Sequence, residues 1–366
     1  MKLVIFGLTI SSSWGNGHAT LWRGLCRSLV ARGHEIHFFE RDVPYYANHR
    51  DLTEIPGGRL YLYPDWDAIS AEAARQLSDA DVGMVTSYCP DGLPATNLVL
   101  DSKAACRCFY DLDTGVTLNR LLAGDPVEYI GPRGFADFDL VLSYTGGKAL
   151  TELKTRLGAR RVAPLYGHVD PDYHHPAPPL ERFLADLSYL GTYAEDRQQA
   201  LQDFFIEPAR SLPQCRFMLG GAMYPQSFPW TDNIYFVRHL PPAEHPAFYC
   251  SSKLTLNITR KAMADFGYCP SGRLFEASAC GVPILSDWFE GLDAFFEPGS
   301  EILVCRCTQD AIDAIQTSAG ELAEIARRGR ERTLSCHTSD IRARELEEIL
   351  AASSPHLHPQ MQSLEA

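Results

Sequence analysis

Several groups of polar residues in this chain have the types and spacing that chemistry requires. Asp111 and Asp113 stand one residue apart, directly after the apolar run CRCFY. At the carboxyl end of a strand, one such carboxylate can take a proton from a hydroxyl while the other orients it. Asp113 is the preferred base of the two. The same D-x-D spacing also suits a divalent metal, and capping of the next helix is the plainer alternative for both residues. Gly15-Asn16-Gly17-His18 follows the first apolar run, where the glycines permit close backbone approach to a ligand and His18 suits a neutral base or hydrogen-bond partner. Ser271-Gly272-Arg273 opens a helical stretch, so free N–H groups and a guanidinium there can hold a phosphate-like anion. Arg260 and Lys261 either assist from the preceding strand end or are solvated charges. Gly191-Thr192 follows the run LSYL and is either a phosphate-approaching turn or a plain strand-to-helix turn. Arg197 on the following helix and Asn257 at a strand end are open in the same way, as site residues or as an exposed cation and an edge amide.

Composition limits what these groups can serve. The chain has 366 residues, 45% of them hydrophobic, which suits two domains of ordinary size. No apolar run approaches the roughly 20 residues of a membrane helix. Met1-Lys2 leads straight into a strand with no secretory signal pattern, which predicts a cytoplasmic protein. The formal net charge of -13 argues against a broad nucleic-acid surface while leaving room for a local basic patch. Eleven cysteines, an odd number scattered singly or as Cys106/Cys108 and Cys305/Cys307, read as reduced and mostly buried thiols.

The elements that must position these residues alternate along the chain. KLVIFG, a polar Gly-rich loop and a helix over about Ala19 to Arg32, closed at Gly33, read as strand, loop and helix. EIHFFE, DVGMVTSY, CRCFYDLD, DLVLSYTG and ARRVAPLYG continue a βα rhythm, which predicts a parallel sheet covered on both faces. HVDPDYHHPAPP, from His168 to Pro179, has little periodicity and several prolines and reads as a linker. The rhythm restarts in LSYLGTY, CRFMLGG, NIYFVRHL, SKLTLNITR, VPILSDW and EILVC, with helices over about Ala194 to Leu212 and Arg273 to Cys280. The expected domains are therefore residues 1–168 and 180–350. The latter includes a final helix over about Ser339 to Ala352, and a tail at 353–366 is expected to be disordered. The aromatic stretches RDVPYYANHRDL and YLYPDWD offer either a stacking platform or packing.

With two Rossmann-like domains in tandem, PSGRLFEASACGVPILSDWFEGLDAFFEPGSEILV resembles the nucleotide-sugar signature of the GT-B glycosyltransferases. The R-x-F-E-x-x-A-C-G pattern within it is similar to the CgeB-type group, named for a spore-maturation protein. SSSWGNGHATLWRGLCRSLVARGHEIHFFE, YDLDTGVTL and PLYGHVDP are similar to that group too, so the resemblance extends to about residue 350. It implies a donor site in a cleft between the domains, with Glu276 at the start of the helix that ends at Cys280-Gly281. There its two carboxylate oxygens would accept both ribose hydroxyls of a nucleotide-sugar, where otherwise it is a helix glutamate favoured by the macrodipole. The large retaining class of that superfamily carries two glutamates with seven residues between them. The second matches Glu276, but Tyr268 stands at the first, which leaves the stereochemistry open.

The resemblance implies transfer of a sugar, from a uridine nucleotide by prevalence, to an unspecified hydroxyl acceptor. The nucleotide-sugar is a substrate, and no cofactor or divalent metal is required. A nucleotide-sugar 2-epimerase of the same layout and a non-catalytic nucleotide-sugar sensor are the alternatives. A dinucleotide oxidoreductase would need a glycine fingerprint followed by an acidic residue about 20 positions on, which neither half contains.

Overall fold

The computed structural model describes residues 1–354; of the expected tail, 355–366 lie outside the described residues. Apolar runs form the inner strands of two wholly parallel sheets. The first has seven strands: β1 (Lys2–Gly7), β2 (Glu35–Arg41), β3 (Arg59–Tyr63), β4 (Val82–Thr86), β5 (Cys106–Asp111), β6 (Leu140–Ser143) and β7 (Val162–Pro164), in the order β3-β2-β1-β4-β5-β6-β7. The second has six: β8 (Ala185–Leu190), β9 (Phe217–Gly221), β10 (Ile234–Arg238), β11 (Ser252–Asn257), β12 (Ile284–Asp287) and β13 (Leu303–Cys305), in the order β10-β9-β8-β11-β12-β13. Leu3 to Phe6 of β1 are each at most 1% exposed, as a central parallel strand covered on both faces requires.

Strand order reverses between β1 and β4 in one sheet and between β8 and β11 in the other. At such a switch point the loops leaving the carboxyl ends of the two strands diverge and open a crevice. Among the described residues, four that are not glycine adopt positive φ, namely Tyr88 (60°), Met223 (65°), His239 (49°) and Tyr268 (46°). They lie in the loops leaving β4, β9, β10 and β11, on the same carboxyl edges. Strain of this kind persists only where the surroundings hold it, and it concentrates at ligand sites.

Several expectations need correction. The chain divides into one unit made of Met1–Ser12, His18–Leu165 and the segment from Asp340 onward, and a second made of Ser13–Gly17 and Tyr166–Ser339. The final helix, Ser339–Ser353, therefore belongs mostly to the first unit, where Ala343, Leu346 and Leu350 enter the core with Trp22, Leu25 and Leu29. The segment read as a linker is tied into the second unit instead. Val169 bridges Thr338 and is 1% exposed, and His168 Nδ1 lies 2.9 Å from Ser339 Oγ.

The single helix expected over Ala194 to Leu212 is broken into a 3-10 turn (Glu195–Arg197), an α turn (Gln198–Leu201), a π stretch (Gln202–Ile206) and a last α turn (Glu207–Ser211). Pro208 has no N–H for the carbonyl four residues back, and the wider π turn relieves its ring of that clash. Strand β3 was not anticipated. It places Tyr61 flat on Phe39 of β2, with centroids 4.3 Å apart, and Tyr63 at 2% exposure, so these aromatics are packing. All eleven cysteines are unbridged, seven of them buried. No helix among the described residues is long and apolar enough to cross a membrane.

Candidate functional site

In the second unit the chemistry gathers at the β8/β11 switch point. Helix Gly272–Ala279 is capped by Ser271, whose side chain accepts from Arg273 N at 3.3 Å. Arg273, on the helix's first turn, reaches back across the sheet edge. Its Nε donates to the Leu190 carbonyl, its Nη1 to Asn257 Oδ1 at 2.9 Å, and its guanidinium carbon sits 5.0 Å from the centre of the Tyr189 ring. Asn257, fully buried at the end of β11, is fixed from behind by Nδ2 donating to Ser286 Oγ at 2.9 Å.

The Gly191-Thr192 turn lies beneath that guanidinium, and each carbonyl around it is tied down. Tyr224 OH donates to Gly191 O at 3.0 Å, and Arg197 Nη1 donates to Thr192 O at 3.1 Å. Arg197 Nε is buried with no hydrogen-bond partner. Among the described residues neither Arg197 nor Arg273 has a carboxylate within ion-pair distance. Two partly buried guanidiniums converge on one turn without a directly paired carboxylate among the described residues, and this is an arrangement that an anion completes.

Two glycines make the turn possible. A Cβ on Gly191 would lie 2.8 Å from Arg273 Nη2 and 2.9 Å from Tyr189 OH, and one on Gly221 would meet the Gly191 carbonyl oxygen at 2.0 Å. The end of β9 thus packs on the turn closely enough to exclude any side chain.

Glu276 lies in the second turn of its helix rather than at its start. One of its oxygens, Oε2, accepts from Tyr249 OH at 3.4 Å. Arg260 Nε is 3.3 Å from Asp196, and Lys261, which is 70% exposed, pairs with Asp265 one turn on. Tyr268 donates its N–H to the Glu290 carbonyl and packs its ring against Gly291.

Sequence reading missed three residues here. Asp287, at the end of β12, accepts from Thr259 N at 2.9 Å and Thr259 Oγ1 at 3.0 Å, and burial lifts its carboxyl above the usual range. His174 and His245 each have a ligand atom within 4.8 Å of Glu276 and of each other. Burial pushes His245 down to about 4, which keeps it neutral. Only their acceptor-capable side chains marked them, since no spacing in the sequence joins positions 174, 245 and 276.

In the first unit a second constellation forms at the end of β5. Asp113 occupies the N-cap position of helix Thr114–Ala123, but its side chain makes no capping bond. Its Oδ2 lies 2.7 Å from His18 Nε2, on the first residue of helix His18–Ala31. Asp111 is fully buried and accepts from Asp113 N and from Thr117 Oγ1, each at 3.1 Å. Its other oxygen has no partner, and burial pushes its carboxyl up to about 7 despite those bonds. The strained Tyr88 places its ring 6.3 Å from that of His18.

Buried Glu40, at the end of β2, orders the loop before His18. It accepts from Thr9 Oγ1 (2.7 Å), Ile10 N (2.8 Å) and Ser11 N (2.9 Å). Beyond that loop, Gly15, Asn16 and Gly17 pack with the second unit, with Gly15 at φ 59° and the neighbouring Trp14 ring 4.0 Å from that of His239.

Residues 197–348 match the model of a family described as glycosyl transferase-like. Among curated protein sequences nothing matches. Solved structures do. A sucrose-phosphate synthase from Thermosynechococcus elongatus aligns with a TM-score of 0.69 at 14% identity, over 96% of this chain and 98% of its own. Anabaena HepE in complex with UDP-glucose aligns at 0.64 and 13% identity, over 96% and 100%. An alpha-glucosyltransferase in complex with UDP-glucose and DNA aligns at 0.73 and 11% identity, over 96% and 99%. At these identities the likeness is one of fold, the α/β fold with two parallel Rossmann-like sheets of GT-B glycosyltransferase structures.

Proposed function

We propose that this chain is a glycosyltransferase that moves a hexosyl group from a nucleotide-sugar, a UDP-sugar in the first place, to a hydroxyl of a small molecule, glycan or protein, without a divalent metal. The observation that carries the reading is the pair of arginines, Arg197 and Arg273, meeting at the Gly191-Thr192 turn with no carboxylate within ion-pair distance among the described residues. A diphosphate supplies two negative groups for these two cations, and the N-terminus of helix Gly272–Ala279 adds its free N–H groups. Glu276, one turn further along the same helix, takes the ribose diol. The family match over this stretch and the uridine nucleotides bound by neighbours of the same fold support the donor assignment. The R-x-F-E-x-x-A-C-G pattern favours the CgeB-type group within it.

On the acceptor side the reading assigns Asp113 as the base, with His18 holding its carboxylate and Asp111 its backbone N–H. With a carboxylate taking the acceptor's proton, the oxygen can displace the diphosphate in one in-line step, which inverts the anomeric carbon, in keeping with a tyrosine at position 268 where the retaining class carries glutamate.

Calorimetry with UDP and UDP-glucose tests the donor site. Wild type is expected to bind both. Arg273→Gln and Glu276→Gln are each expected to lose about 1.5–3 kcal/mol, the worth of hydrogen bonds to charged groups. Release of free UDP in step with transfer separates a transferase from an epimerase. Unchanged affinity in both variants would remove this helix from the donor site.

A further inference from the structure

His174 is an unusual buried histidine. It is 5% exposed, and neither ring nitrogen has a hydrogen-bond partner. Buried polar atoms are nearly always bonded, so an orphaned pair points to an unseen water or ion. The ring is held by a turn in which the Asp170 carbonyl accepts from Tyr173 N at 3.1 Å and His174 N at 2.9 Å. His245 opens helix His245–Cys250, and its Nε2 lies 3.2 Å from the Leu240 carbonyl. A carbonyl can only accept, so Nε2 carries the proton and the lone pair is left on Nδ1, which is buried and unpartnered. Tyr249, one turn on, holds Oε2 of Glu276 and leaves Oε1 open. One atom from each of His174, His245 and Glu276 falls within 4.8 Å of the other two.

We propose that His174, His245 and Glu276 form a binding site for a transition-metal ion, zinc first among them. Two imidazoles and a carboxylate suit zinc, copper or nickel and disfavour magnesium and calcium, which take oxygen ligands. A tetrahedral zinc with bonds of about 2.0–2.2 Å places its ligands roughly 3.4 Å apart, so small rotations of the rings and the carboxylate close the site. The backbone carbonyl behind His245 and the phenol behind Glu276 orient their ligands from outside, as metal-site partners do. Three protein ligands leave a fourth position for solvent. Glu276 is also the residue given to the ribose diol, so the ion and the nucleotide exclude one another. That consequence alone rests on the donor reading, and it makes zinc an inhibitor rather than a cofactor.

Cobalt is the probe, because its visible spectrum reports ligand type and the eleven free cysteines are the competing ligands. The full chain, stripped by chelation, is expected to take up one equivalent of cobalt. The absorption should be that of a four-coordinate ion without a thiolate charge-transfer band, and zinc should abolish it. His174→Gln and His245→Gln should each weaken uptake by at least ~100-fold, more than loss of an outer partner does. A thiolate band, a six-coordinate spectrum, or uptake unchanged in both variants overturns the site. Should either variant fail to fold, the wild-type spectrum still decides by its ligand type. UDP is then titrated into the cobalt form. Loss of the spectrum supports shared use of Glu276, and a persistent spectrum with UDP bound refutes it. Failure of UDP to bind the metal-free chain sinks the donor reading and leaves the cobalt result standing.

Discussion

Asp113 illustrates how one side chain can be released from a structural duty. Its backbone starts helix Thr114–Ala123, yet its carboxylate lies 2.7 Å from His18 Nε2 instead of capping the first turn. An N-cap aspartate contributes about 1 kcal/mol, and that contribution is forgone here for a contact 95 positions away. The neighbouring carboxyl is arranged differently. Asp111 is buried and pushed up to about 7, so near neutrality it is partly protonated and adds less repulsion to Asp113 than a second full charge would. Asp113→Asn is expected to cut turnover by roughly 10²- to 10⁴-fold and to leave UDP affinity as in wild type, because the groups proposed for the donor belong to other elements. A rise in acceptor KM with little change in kcat would instead mean that Asp113 positions the acceptor and that the leaving diphosphate takes the proton. Wild-type values of both constants would reduce it to a helix start.

At the scale of elements, the turn after β8 and the helix Gly272–Ala279 act together. Ser271, Gly272 and Arg273 were readable as a helix opening because a serine cap, a glycine and a following apolar run are local signals, and the structure starts the helix at Gly272. Similar local logic located all six strands of the second sheet. What the sequence could not disclose was the partnership between distant pieces. Nothing local links Arg273 to the Leu190 carbonyl, or His174 to His245, because those residues are far apart in the chain and meet only in the folded unit. The final helix was assigned to the second unit for the same reason, since nothing local in its sequence names the core that Ala343, Leu346 and Leu350 enter. Gly191 and Gly221 are separable by substitution. Gly191→Ala meets the far end of Arg273 and the hydroxyl of buried Tyr189, so the guanidinium shifts and UDP affinity is expected to fall about tenfold, or 1.4 kcal/mol, with a smaller drop in melting temperature than Gly221→Ala. Gly221→Ala meets backbone oxygen and should lower the melting temperature instead. Equal effects of the two on UDP affinity would count against a phosphate site at this turn.

The whole molecule carries 46 acidic against 33 basic side chains, so its average field repels a nucleotide diphosphate. A chain of that charge can bind such an anion only where positive charge is concentrated and partly shielded from water, because exposed charges further apart than a Debye length of about 8 Å are screened. Many of its arginines are spent in surface ion pairs, such as Arg327 with Glu324 and Glu331; Arg197 and Arg273 are not. Two guanidiniums and a helix N-terminus can stabilise the charge that develops on a leaving diphosphate, which is the task a magnesium or manganese ion performs elsewhere. Transfer by the full chain is therefore expected to survive exhaustive dialysis against EDTA at its full rate. Where zinc was carried along on Glu276, the rate should rise, and added zinc should lower it again in wild type but not in His174→Gln. Loss of transfer on chelation, restored by magnesium or manganese, would mean that the arginines do not suffice and would return Asp111 and Asp113 to the role of metal ligands.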